Sequence, residues 1–144
     1  MLYPSENRVD LKEQSALSLA FLGDGVLELL TRQRLVQTTR LPIVRLHSET
    51  VRLVSAKGQA KAARSLLAVL TPEEEGVFRR GKNSSKSSVA KHASAQEYST
   101  STALEALFGY LYLAGRDARI QELFDLLWAA IFEIEAGEDQ PPEA

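Results

Sequence analysis

Apolar residues along this chain recur at intervals of three and four, and no stretch alternates in twos as a half-buried strand would. That pattern favours helices and leaves no material for a sheet. Ser15 to Val36 is rich in Leu and Ala and free of proline. A second periodic stretch runs from about Ile43 to Leu70, with Gly58 as a point of interruption. Thr71-Pro72-Glu73-Glu74 is a helix start: a hydroxyl to cap, a proline for the first position and a glutamate to complete a capping box. This helix is expected to end near Gly81. Residues 82–97, rich in Ser, Lys and Ala, read as a loop. Two more helices follow over Thr102 to Ala114 and Ala118 to Ala136, the last ended by Gly137 and Pro141-Pro142. No repeat of fixed period is present. The expectation is one all-α domain of about six helices over residues 1–137. An acidic, proline-containing tail, 138–144, is expected to be disordered.

The 144 residues suffice for a sizeable core, and a hydrophobic fraction of 44% with 25% charged residues is ordinary for a globular chain. Cysteine is absent, which removes disulfides, thiolate metal sites and thiol nucleophiles and suits a reducing cytoplasm. No apolar run approaches the ~20 residues that span a bilayer. Met1 to Asp10 has no cationic-then-apolar leader pattern. The expected setting is therefore cytoplasmic, away from membranes. The net charge of −2 conceals an uneven distribution. Residues 133–144 hold five of the 19 acids and no Lys or Arg, so the remainder carries 17 basic against 14 acidic residues. Arg79, Arg80, Lys82, Lys86 and Lys91 fall in one acid-free segment, compatible with phosphate binding as well as with a merely solvated loop.

Two acids stand where acids are costly. Asp24 lies in Phe21-Leu22-Gly23-Asp24-Gly25-Val26-Leu27, and Glu105 lies in Ala103-Leu104-Glu105-Ala106-Leu107-Phe108. A carboxylate within an apolar helical run is paired, protonated or bound to a metal. Gly23 and Gly25 each weaken a helix by roughly 1 kcal/mol relative to alanine, which points to close approach by another chain or a ligand. Glu28, one turn after Asp24, could join it or face solvent. Mg²⁺ commonly takes one or two protein carboxylates with water and phosphate completing the shell, so two acids on two helices would suffice. The residues alone leave two other readings open: Asp24 as a structural acid, and Thr102-x-x-Glu105 as a capping box. His47 and His92 form no metal-spaced pair and read as surface residues. Phosphate-binding, dinucleotide and serine-elbow motifs are absent.

The segment Phe21-Leu22-Gly23-Asp24-Gly25-Val26-Leu27 resembles the signature stretch of the RNase III family. Glu105-Ala106-Leu107-Phe108-Gly109-Tyr110 resembles that family's second acidic motif, and Leu53-Val54-Ser55-Ala56-Lys57-Gly58-Gln59-Ala60 looks like its central helix. Three matches in order over most of the chain are specific. The likeness is closest to the Mini-III subfamily, through Arg79-Arg80-Gly81-Lys82-Asn83, through Tyr98 to Leu107, and through the lack of room for a double-stranded-RNA-binding domain after Ala136. Two positions depart from the wider pattern: Ala20 and Thr102 stand where that pattern has acids, as they do in Mini-III proteins. A four-carboxylate, two-metal site is thereby put in doubt, and only Asp24 and Glu105 carry over.

The resemblance implies an endoribonuclease that cleaves double-stranded RNA to 5′-phosphate and 3′-hydroxyl ends. Asp24 and Glu105 would be the catalytic residues and would hold Mg²⁺ as cofactor. Arg79, Arg80, Lys82, Asn83 and Lys86 would contact RNA, with Lys57 as a further candidate. The family works as a homodimer, and Phe21 and Leu22 would lie at the dimer interface; intrachain core is the competing reading of both. The subfamily's substrate is precursor 23S ribosomal RNA. The alternative function is a non-catalytic helical RNA-binding or ribosome-associated protein on a degenerate form of the same fold, and a third is a helical adaptor without RNA.

Overall fold

The computed structural model describes residues 1–85 and 94–133. Within them the chain is helical throughout, with no strand. After a 3₁₀ turn at Leu11–Glu13 come α1 (Ala16–Thr38), α2 (Ile43–Val54), α3 (Ala56–Ala63), α4 (Pro72–Ser84), α5 (Ala95–Leu113) and α6 (Asp117–Trp128). The last helix continues into a π-helical turn, Ala129–Glu133. Lys86, His92 and the tail at 138–144 lie outside the described residues.

Helix α5 is the hub. Leu104, Leu107, Phe108 and Leu111 are fully buried, and α1, α3, α4 and α6 all pack on it. A helix apolar on nearly every side must be enclosed by others. Leu19 and Leu27 of α1, Leu53 of α2, Leu66 after α3 and Leu123 and Leu127 of α6 complete the core. Each such side chain contributes roughly 1.5–3 kcal/mol by leaving water.

Three boundaries differ from expectation. The long second stretch breaks at Ser55 rather than at Gly58: Ser55 ends α2 and caps α3, its Oγ accepting from the Gly58 amide at 3.1 Å. Helix α4 continues through Gly81 to Ser84. Gly81 is there for packing, since a Cβ on it would stand 2.9 Å from the Ala103 Cα and the Ala106 Cβ on α5. Helix α5 begins two turns before Thr102, at a Ser94/Glu97 capping box. Its first turns are polar, so apolar periodicity does not reveal them. Thr102 is therefore mid-helix, buried, with its hydroxyl bonded to the Tyr98 carbonyl at 3.1 Å, and it caps nothing.

The expected start of α4 is present in full, and it carries a second role. Glu74, closing the box with Thr71, is also the buried partner of Arg119 on α6. Nε and Nη2 of Arg119 donate to the two carboxylate oxygens at 2.9 and 2.8 Å, and Nη2 donates to the Val69 carbonyl at 2.7 Å. The fork geometry satisfies a carboxylate that would otherwise be unsupportable there. These bonds, Arg119's above all, hold the Glu74 carboxyl below its usual range. The stability this adds is present above pH 4.5 and is lost as pH falls through the depressed folded value. Glu74→Gln should cost about 1–3 kcal/mol at neutral pH, because it removes the buried charge that the Arg119 fork pairs with, and much less in acid. Urea unfolding of both proteins at neutral and acid pH checks this.

Candidate active site

Helices α1 and α5 meet backbone to backbone. A Cβ on Gly23 would lie 1.6 Å from the Glu105 carbonyl oxygen and 2.8 Å from the Gly109 nitrogen. A Cβ on Gly109 would lie 1.9 Å from the Leu19 carbonyl oxygen. Any side chain at either position would force the helices apart, so both glycines are required by the approach they permit. Asp24 follows Gly23, and Glu105 supplies the carbonyl that Gly23 touches. The crossing therefore joins two acids that are eighty-one positions apart in sequence: the carboxyl of Glu105 hydrogen-bonds that of Asp24.

The two acids are not equivalent. Asp24 is exposed, contrary to the expectation of an acid enclosed in an apolar run; α1 turns this side outward. Glu105 is partly buried against α1 and α3. Burial, then the hydrogen bond and negative charge of Asp24, push its carboxyl up to about 8, partly offset by a hydrogen bond from Gln59. At neutral pH Glu105 thus keeps a proton and donates it to Asp24. Ala20 and Thr102, acidic in the wider RNase III pattern, are both buried. Glu28 faces solvent and pairs with Arg32 at 2.9 Å, outside the site. Among the described residues no group of three or more His, Cys, Asp or Glu could hold a metal, and the acids that meet at the crossing are two carboxyls. That set fits a hard divalent cation that retains water, such as Mg²⁺, and not a closed four-ligand zinc site.

Gln59 is a residue that motif reading missed. It comes from α3, is 2% exposed, and anchors its amide to the Val54 carbonyl with Nε2 at 3.0 Å. The only signal in the sequence is one polar residue facing the core of a short Ala-rich helix.

The basic residues divide. Arg79 and Arg80 of α4 line a cleft with Lys12, Glu73 and Tyr110. Lys82 lies on the other flank, in a groove with Arg64, Gln96 and Thr100. Ala60 and Ala63 of α3 line that same groove. Asn83 and Lys57 are exposed. Of these cations, Lys12 and Arg64 lie far from the basic segment in sequence, which is why charge clustering does not reveal them. Phe21 is 87% exposed, which excludes the intrachain-core reading for it, whereas Leu22 is half-buried against the core. His47 is exposed, as expected.

A protonated Glu105 has a measurable consequence. Its folded value, about 8, lies above the ordinary 4.5, so the folded state binds this proton more tightly than the unfolded state does. Stability from this group is full below pH 4.5 and declines as pH rises to about 8. A divalent cation must displace the proton, so its affinity rises over the same window. Thermal unfolding in chelator should therefore show a falling Tm from about pH 5.5 to about 8.5, flattened by Glu105→Gln and by saturating Mg²⁺.

Comparison with known proteins gives the family. Residues 17–116 match the family model of the Ribonuclease III domain. A Mini-ribonuclease 3 of Symbiobacterium thermophilum is 41% identical over 85% of this chain and 92% of its own. Another, from a Thermoanaerobacter strain, is 40% identical over 78% of this chain and 79% of its own. A crystal structure of a protein from Fusobacterium nucleatum superposes with a TM-score of 0.75 at 30% identity, covering 82% of this chain and 94% of that one. With a matching family model over the stretch that contains both acids, and Mini-ribonuclease 3 relatives over most of its length, the chain belongs to the ribonuclease III family, in its Mini-III branch, as an RNase III-type endoribonuclease.

Proposed function

We propose that this endoribonuclease cleaves double-stranded RNA with Asp24 and Glu105 as its catalytic residues and Mg²⁺ as its cofactor. The observation that carries the reading is the meeting of these two acids across the glycine crossing, the point at which both family motifs coincide in space. Asp24 is open to solvent and to a phosphate, while Glu105 is held from behind by α3. Without a counter-ion the pair would repel RNA; a divalent cation held by both carboxylates would cancel their charge and would supply Lewis-acid activation of water. The chain's own part is to hold both carboxylates in one orientation, to release the Glu105 proton to solvent when a cation takes its place, and to grip the duplex.

Grip falls to the cations flanking α4. Arg79, Arg80, Lys82 and Asn83 all point to solvent, and Lys12 and Arg64 extend the two flanks. Lys57 lies beside Gln59 on α3, and Lys86 follows two residues beyond the end of α4. A-form RNA is read through phosphates, 2′-hydroxyls and shape, for which such a distribution of positive side chains is suited.

The active form in this reading is a homodimer paired along α1. Leu17, Phe21 and Leu29 form an exposed apolar stripe on that helix, at 55%, 87% and 47% exposure. An open cleft beside it is lined by Leu22, Gly25, Val26, Leu29 and Leu30. Among the described residues no other element comes within 4 Å of where a Gly25 Cβ would be, so this part of α1 is open. Precursor 23S ribosomal RNA is the natural substrate supported by membership of the Mini-III branch, and a cytoplasmic location goes with that substrate. The catalytic unit corresponds to residues 1–137, with 138–144 as an appended tail. No helix among the described residues is long and apolar enough to cross a membrane.

Long double-stranded RNA should be cut in Mg²⁺ and spared in chelator, and Asp24→Asn should reduce the rate by at least about 10³-fold, the scale on which a metal-held catalytic centre acts. RNA retention by the mutant in a filter assay should persist. Cleavage by Asp24→Asn at the wild-type rate would remove Asp24 from the chemistry.

A further inference from the structure

A buried amide beside the paired acids has half of its hydrogen-bonding capacity unused. Nε2 of Gln59 donates to the Val54 carbonyl at 3.0 Å, and the same side chain lies beside the Glu105 carboxyl, whose raised value it partly offsets. The Val54 carbonyl can only accept, which fixes the amide's orientation: nitrogen toward Val54, Oε1 on the opposite side of the amide. Among the described residues no donor reaches Oε1, although Gln59 is 2% exposed. It is the one buried side-chain polar atom among those residues left without a partner. Orphaned buried acceptors of this kind are uncommon and call for an explanation. Leucine or methionine would fill the same volume between α2 and α3 without that penalty, so core packing alone does not account for a glutamine here.

We infer that Gln59 is a positioning residue of the cation site, its Val54-anchored amide holding Glu105 toward Asp24 and its Oε1 accepting from a water of the hydrated cation. This rests on the reading of Asp24 and Glu105 as the cation site. Groups that orient carboxylate ligands and the waters beside them commonly change metal affinity or activity by ~10–100-fold when removed. Tethering through Val54 also couples the site to the α2–α3 corner, which Ser55 caps. A side chain on a helix so anchored loses little freedom when the cation binds, as a preorganised ligand shell requires.

The test compares Gln59→Met, which removes donor and acceptor at nearly constant volume, with Gln59→Glu, which keeps an acceptor oxygen and loses the donor. Mn²⁺ binding is measured by titration calorimetry on the full chain without RNA, and cleavage of long double-stranded RNA is measured beside it. Met should weaken Mn²⁺ binding and lower kcat by ~10–100-fold, with KM for RNA unchanged within about twofold. Glu should bind Mn²⁺ at least as well as the wild type while kcat stays low. A purely structural role predicts that both variants lose thermal stability together and keep Mn²⁺ affinity, and that result would overturn the inference. If Met fails to fold, Glu decides alone: a tenfold or greater loss of Mn²⁺ affinity rejects the role of Oε1. Wild-type protein that cuts RNA but binds no Mn²⁺ would overturn the cation-site reading and this inference with it. A wild type that binds, with Met unchanged, overturns the inference alone.

Discussion

Everything distinctive in this structure depends on one contact: two glycines that let α1 and α5 touch through their backbones. A carbonyl of each helix occupies the space that a Cβ of the other would need. Such proximity leaves no room for side chains between the axes, and it sets the rotation and register of both helices. Leu19 and Leu27 on one side, and Leu104, Leu107, Phe108 and Leu111 on the other, then fall into the core. Asp24 and Glu105 fall together at its edge. A sequence that accepts two helix-weakening residues for this contact gains a fixed site, a trade usual where function and stability draw on the same residues.

The electrostatics follow from that placement. An exposed aspartate and a partly buried glutamate cannot both ionise freely at hydrogen-bond distance, so the glutamate holds a proton well into the neutral range. In the absence of a cation the pair is a weak point that worsens as pH rises. The opposite device lies at the start of α4, where Glu74 meets its counter-charge in Arg119 within the chain. Both are carboxylates in enclosed surroundings. One is neutralised internally and serves the fold; the other has no counter-charge in its own pair and, in the function proposed, would take one from a cation.

Much of the architecture is legible in the residues. The helical period, the Thr71 capping box and the limits of α1 are local signals, and local signals survive folding. The start of α5 is also local, at Ser94 and Glu97, but it precedes polar turns without an apolar stripe, so periodicity points to a loop instead. Gly81 resembles a helix stop until α5 is seen against it. For the site, each acid is conspicuous singly, whereas their meeting depends on a crossing that no spacing encodes. Gln59 is nearly invisible, because one polar residue in an Ala-rich helix has many innocent explanations. Lys12 and Arg64 join the basic flanks only through tertiary structure, as they share no segment with Arg79 and Arg80.

The most direct measurement is anomalous X-ray diffraction from crystals grown with Mn²⁺. The account predicts a single strong peak within coordination distance of both Asp24 and Glu105, at ~2.0–2.2 Å, with water filling the remaining positions. A peak held by other side chains, or by neither acid at saturating Mn²⁺, would contradict it.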